Sequence, residues 1–193
     1  MTKLEQAFTL FDQYNQQSPE QITWKGEHYP SEYFYALKLY DWVKSLDQHA
    51  SEALLLASRC QHIGRWEIER KTYPEGRVGY LTWRSDLAKH HAQKAVEIMS
   101  SLNYEADIIA KVREIVLKRG IKRDRDVQTI ENALCLVFLE FQYDDLLQKH
   151  SDEKMISILQ KTWAKMSEEG QRVALTLQYS DRGKALLTKA LGN

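Results

Sequence analysis

The chain has 193 residues, enough to bury one sizeable core, and nothing in it reads as a linker, so a single domain over residues 1–193 is expected. Its 27 basic and 27 acidic side chains cancel; the molecule as a whole exerts no pull on nucleic acid or an acidic membrane, and any anion site must be local. With 43% apolar residues but only 8 glycines and 3 prolines, a turn-rich all-β protein is excluded in favour of an all-α fold.

The first dozen residues carry Lys3, Glu5 and Asp12 and lack the apolar core of a secretion signal. No run approaches the roughly 18 apolar residues of a membrane span, so no membrane partner is expected. Cys60 and Cys135 lie in apolar helical stretches without metal or redox spacing, as expected of reduced thiols in the cytoplasm.

Apolar spacing predicts helices over 3–16, 31–45, 51–64, 80–102, 105–119, 127–149 and 152–166, with one or two short helices up to 191, a bundle of about eight. Several boundaries carry chemical signals: Pro30 and Ser31 before one helix, Gly120 after another, and Ser151, Asp152 and Glu153 at an N-terminal turn. The segment LCLVFLEF at 134–141 is apolar nearly all round, which marks an enclosed central helix. Glu140 interrupts it, and a carboxylate carried into a core must be paired or bound.

Residues 59–91 concentrate Arg, His and aromatic side chains. A weakly periodic stretch, 66–79, is long enough for a lid or binding loop and carries Arg70, Lys71, Tyr73 and Arg77. In the helix that follows, Val78, Leu81, Ser85, Ala88, Ala92, Ala95 and Met99 recur at three- and four-residue steps and define the expected core stripe. One position behind it Arg77, Tyr80, Arg84, Leu87 and His91 form a second row along its edge. His62 ends the preceding helix, with Arg65 and Trp66 three and four residues on. Arginine forks suit phosphate or carboxylate and aromatic rings stack on bases or guanidiniums, so the cluster reads as an anion pocket. The competing reading pairs Arg65, Arg70, Arg77 and Arg84 with Glu67, Glu69, Glu75 and Asp86 on a solvated face. A second basic cluster, Lys118, Arg119, Lys122, Arg123 and Arg125, suits a helix C-terminus or RNA.

The strings RCQHIGRW, TYPEGRVGYLTWRSDL, KHHAQKA, IENALCLVFLE and KTWAKMS resemble the helical proteins of domain of unknown function family 4202, from about residue 30 to 191. Gln61, His62, Arg65, Trp66, Arg70, Tyr73, Pro74 and Arg77 fit that pattern, as do Tyr80, Trp83, Arg84, His91, Lys118, Glu131, Cys135 and Glu140. The sequence departs from it at Gly64, Glu69 and Asn132, where the pattern has Arg, Pro and Asp. The order of His62, His91 and the acidic Glu131 and Glu140 also looks like the layout of HD-domain phosphohydrolases, whose His and Asp ligands hold divalent metals that activate water. Gln61 and His62 stand where such enzymes carry His and Asp, and Asn132 removes an acid, so a divalent metal has an incomplete ligand set. HIGR at 62–65 and KMSEE at 165–169 are similar to the signatures of class I aminoacyl-tRNA synthetases, which depend on a parallel sheet that no strand pattern here supplies.

These readings converge on a pocket for a phosphate-bearing small molecule such as a nucleotide, with HD-like hydrolysis as the chemistry the layout implies. In it His62, His91, Glu131 and Glu140 are the candidate ligands, acids or bases, and Gln61, Arg65, Trp66, Arg70, Tyr73, Arg77, Tyr80, Arg84 and Lys118 line the pocket. The alternative is a non-enzymatic module that binds RNA or a protein partner.

Overall fold

A computed structural model describes residues 1–192 and contains ten α-helices and one two-stranded hairpin among them. The contacts divide the chain into two compact units, the first Met1–Arg119 and the second from Gly120 onward.

The first unit comprises α1 (Lys3–Asn15), strands β1 (Gln21–Trp24) and β2 (Glu27–Pro30), then α2 (Ser31–Leu46), α3 (Glu52–Cys60), α4 (Gly76–Ser101) and α5 (Ala106–Val116). Its starts follow side-chain chemistry. Thr2 and Glu5 close a capping box on α1, and Ser51 caps α3 by accepting from Leu54 N. α3 is the buried centre: Ala53, Leu54, Leu56, Ala57, Ser58 and Cys60 are all inaccessible, and α1, α2, α4 and α5 pack on it. Arg59 alone leaves its face as a polar anchor, ion-paired with Asp12 and stacked over the rings of Phe8 and Tyr40 at 5.1 and 5.4 Å.

The hairpin escaped the sequence reading. Ile22 pairs with Tyr29 and Trp24 with Glu27, and the two turn residues, Lys25 and Gly26, both have positive φ, 51° and 85°. That is the backbone of the tight primed turn that two twisted antiparallel strands require. Trp24 and Tyr29 lay their rings 5.9 and 5.6 Å from Phe34 of α2, which holds the hairpin to the bundle.

The first half of α4 corrects the expected stripe. Val78, Leu81 and Ser85 are exposed, whereas Ala92, Ala95 and Met99 are buried as expected, and Gly79, Trp83, Leu87 and His91 complete the buried set. Steps of four advance about 40° around a helix each time, so the buried ridge winds around α4 instead of following one straight face. Its first member is Gly79, because the backbone of Pro74 crosses so closely that a Cβ there would lie 1.9 Å from the Pro74 carbonyl oxygen.

The second unit contains α6 (Arg125–Phe141), α7 (Tyr143–Leu147), α8 (Asp152–Lys165), α9 (Glu168–Ala174) and α10 (Asp181–Ala190). Asp124, Ser151, Ser167 and Ser180 cap four of these helices through the amides of Val127, Lys154, Gly170 and Gly183. The single helix expected over 127–149 is broken at Gln142, where no Gly or Pro signals a stop. The cause is tertiary: Tyr143 turns into the core and donates to the Gly183 carbonyl at 3.0 Å. Glu140, expected as a core carboxylate, is exposed, because it lies in the last turn of α6, where a long side chain reaches water. No described helix is long and apolar enough to cross a membrane.

Gly79→Ala is expected to destabilise the protein by roughly 1–3 kcal/mol, since the overlap is with backbone and cannot be relieved by a rotamer. Urea denaturation reads it, with Val78→Ala one residue away, 79% exposed, as the control that stays within about 0.5 kcal/mol of wild type.

Candidate functional site

α3 ends in a series of tight turns over residues 61–64. Ile63 N bonds the Cys60 carbonyl at 3.2 Å, Arg65 N bonds that of His62 at 3.1 Å, and Gly64 takes φ +68°. A Cβ on Gly64 would sit 3.0 Å from His90 Nε2, so glycine answers both the left-handed backbone and the crowding, where the resembled pattern has Arg. The turns present three consecutive side chains to different neighbours. Gln61 is buried and donates through Nε2 to the Val116 carbonyl of α5 at 3.0 Å, while its Oε1 is buried without a hydrogen-bond partner. His62 is half-buried, and Ile63 is inaccessible.

His91 meets this turn from α4. It is only 3% exposed, and its Nδ1 lies 2.6 Å from the Ile63 carbonyl oxygen. A carbonyl accepts and never donates, so Nδ1 carries the proton. In the neutral ring Nε2 is then an acceptor, and it is buried with no partner. The His62 ring lies 5.7 Å away, centroid to centroid.

The charges around this pair are mostly of one sign. Burial, reinforced by Arg65, Lys118 and Arg84, holds His62 well below the usual imidazole range. Burial also brings His91 down to about 4, with Arg65, His90 and Arg84 acting in the same direction against the Ile63 carbonyl. Both rings are therefore neutral at pH 7. Arg65 stacks over Trp83 at 5.4 Å and faces Glu32 at 3.7 Å, yet burial pushes Glu32 up to about 7 despite that guanidinium. The carboxylate facing Arg65 thus carries only part of its charge at neutral pH. Arg84 is exposed and touches Tyr80, donating to its hydroxyl at 3.2 Å.

The pairings of the solvated-face reading are not those formed. Arg65 turns to Glu32 and Trp83, Arg70 donates to the Tyr73 carbonyl, and Arg84 goes to Tyr80. Glu67 is engaged by Tyr14, His90 and Lys94, Glu69 by Lys71, and Asp86 by Tyr73 and Lys89. Although burial works the other way, the Tyr14 hydrogen bond and the charges of Lys94 and His90 keep the Glu67 carboxyl below its usual range.

The same contacts correct the expected lid. The stretch between α3 and α4 is laid along α4 and fastened at three points: Ile68 O accepts from Trp83 Nε1 at 2.9 Å, Tyr73 donates to Asp86 at 3.2 Å, and Glu67 meets His90 at 2.9 Å. Trp66 packs against Tyr14 at 5.9 Å. Trp66, Arg70 and Tyr73 therefore brace the loop, and Arg77 is exposed at the start of α4. The residues brought together are Gln61, His62, Arg65, Arg84, His91 and Lys118. Trp83, which fits the resembled pattern, and Glu32, which the sequence reading did not single out, complete the surroundings of Arg65; Glu32 lies on α2 with no local signal.

Glu131 and Glu140 belong to the second unit. Glu131 is buried with Lys165 Nζ 3.8 Å away. Its neighbour Asn132 accepts from Ser167 N at 2.9 Å and donates to Ser167 Oγ at 2.8 Å, so it secures the start of α9. Among the described residues no group of three or more His, Cys, Asp or Glu side chains is arranged to hold a metal ion. The donors at the histidine pair, two imidazoles and an amide among three cations, also fit a divalent metal poorly, because like charge opposes it. The HD-like ligand set is not assembled.

Fold and geometry define a helical protein in which two imidazoles lie among basic side chains. The chain belongs to the family described as Domain of unknown function (DUF4202), which matches residues 5–187. No curated protein and no solved structure matches it.

The lowered pKa of His91 makes stability depend on pH. The unfolded chain binds the proton more tightly than the folded one, so this contribution is present above pH 6.5 and is lost as pH falls toward 4, by about 3 kcal/mol. Glu32 has the opposite sign: its raised pKa favours the folded state below pH 4.5, and that advantage disappears as pH rises to about 7. Glu32→Gln removes the opposing effect, and urea denaturation of that variant between pH 7 and 4 should show a steeper acid loss than wild type. Adding His91→Gln should flatten it; an unchanged slope would remove the buried neutral histidine from the account.

Proposed function

We propose that the cluster of His62, His91, Arg65, Arg84 and Lys118 binds a phosphate-bearing small molecule, with a nucleotide as the leading class. The observation that carries this reading is the pair of neutral imidazoles kept unprotonated within a group of cations. A polyanion relieves the repulsion among the guanidiniums and ammonium, and it raises both imidazole pKa values, so the rings take up protons and become donors to phosphate oxygens. Arg84, exposed and tied only to a tyrosine, is the side chain best free to reach the ligand.

The reading is one of binding. HD-type hydrolysis is not carried forward, because it runs through a metal whose ligands are not gathered here. The free, buried thiols of Cys60 and Cys135 are consistent with a reducing, cytoplasmic setting. RNA binding through the exposed Lys122, Arg123 and Arg125 of the second unit is the alternative. A steep loss of RNA affinity with salt would favour it.

Calorimetric titration of pyrophosphate and nucleoside phosphates at pH 6.5, in two buffers of different ionisation enthalpy, should reveal net proton uptake on binding. Arg84→Ala should weaken affinity roughly tenfold to hundredfold, as expected for one charge-assisted contact. If no phosphate compound binds at low salt, or binding is indifferent to Arg84, the proposal fails.

A further inference from the structure

α4 and α5 enclose an open groove of about 770 Å³ whose lining includes His90, a ring 6.3 Å from that of His91. Such a volume lies within the roughly 300–1,000 Å³ of small-molecule sites. Its floor is small and apolar, formed by Ala88, Ala92 and Leu117, and Arg113 and Arg119 stand on the α5 side. Neither of those arginines has an ion pair among the described residues, whereas Lys89 across the groove is tied to Asp86 at 3.3 Å. Ser85 and Gln93 give the groove polar edges. The groove adjoins the proposed phosphate site through α4 itself: Ala88 lies four residues after Arg84 and three before His91, which puts all three on one side of the helix. Lys118 falls between the groove residues Leu117 and Arg119 in sequence.

A floor of methyl groups flanked by two unpaired guanidiniums has the chemistry of a planar, electron-rich ring. The small side chains let a flat face approach the backbone of α4, a guanidinium plane stacks on the opposite face, and a hydroxyl and an amide reach its polar edge. We infer that this groove holds the base of a nucleoside phosphate whose phosphate lies among His62, His91, Arg84 and Lys118. The inference rests on the phosphate reading for its second half, and names the class of compound that reading leaves open.

The test uses the full chain and compares inorganic phosphate, the four nucleoside monophosphates and the corresponding nucleosides by calorimetry. Two changes address the groove alone: Ser85→Trp, which fills it from an exposed position, and Arg113→Ala combined with Arg119→Ala. The expected result is that at least one nucleoside monophosphate binds roughly tenfold or more tightly than phosphate. Both groove variants should abolish that advantage while phosphate affinity is retained, and Arg84→Ala should weaken phosphate and nucleotide alike. The groove inference is overturned if nucleotides bind no better than phosphate, or if their advantage survives in both groove variants. Groove-dependent binding of nucleosides without any phosphate binding overturns the phosphate reading and leaves the base site standing. No binding of any of these compounds overturns both.

Discussion

The hydrogen bond from His91 Nδ1 to the Ile63 carbonyl is the contact on which the geometry of the first unit turns. α3 is so fully enclosed that its chain must leave through tight turns, and the carbonyls there have no helical partner of their own. One of them is satisfied by a side chain from the middle of α4. That single bond sets the His91 tautomer, orients its unsatisfied Nε2, and holds α4 at a height where Trp83, Asp86 and His90 fasten the loop between the two helices. The loop is therefore a bracket for the site rather than a lid over it.

Electrostatics then act on a framework that cannot relax far. In water, three cations and two imidazoles would separate or protonate as they pleased. Here burial disfavours the second proton on each ring, and Arg65 is kept in place by Trp83 beneath it and Glu32 beside it. Burial also draws Glu32 toward its neutral form, so the compensation it offers Arg65 is partial. The unfavourable terms of this cluster are thus built into the folded chain.

Much of this was legible in the residues, and the failures have identifiable causes. The order and type of the long helices followed from apolar periodicity. The first half of the core stripe on α4 was misplaced, because a ridge of four-residue steps winds and a straight stripe through Val78 and Leu81 fits the apolar letters better than it fits the packing; Ala92, Ala95 and Met99 are buried as expected. The hairpin was hidden in ten residues whose only strong signal is the Lys25–Gly26 turn, and the break at Gln142 is dictated by where Tyr143 finds a carbonyl. Glu32 illustrates the limit most clearly. Its role comes from burial against a distant arginine, and nothing within its own helix announces it.

In the second unit, Asn132 is committed to the start of α9. At Asn132 the resembled pattern has Asp, and either side chain can accept from the Ser167 amide. The amide nitrogen of Asn adds a donor to Ser167 Oγ, which in turn caps α9. Gly170 follows from the same packing, since a Cβ there would lie 2.7 Å from the Asn132 side chain. A position whose oxygen and nitrogen are both committed to starting a helix does not need a negative charge, and exchanging Asp for Asn costs this packing nothing. A metal ligand would lose most of its affinity from the same exchange.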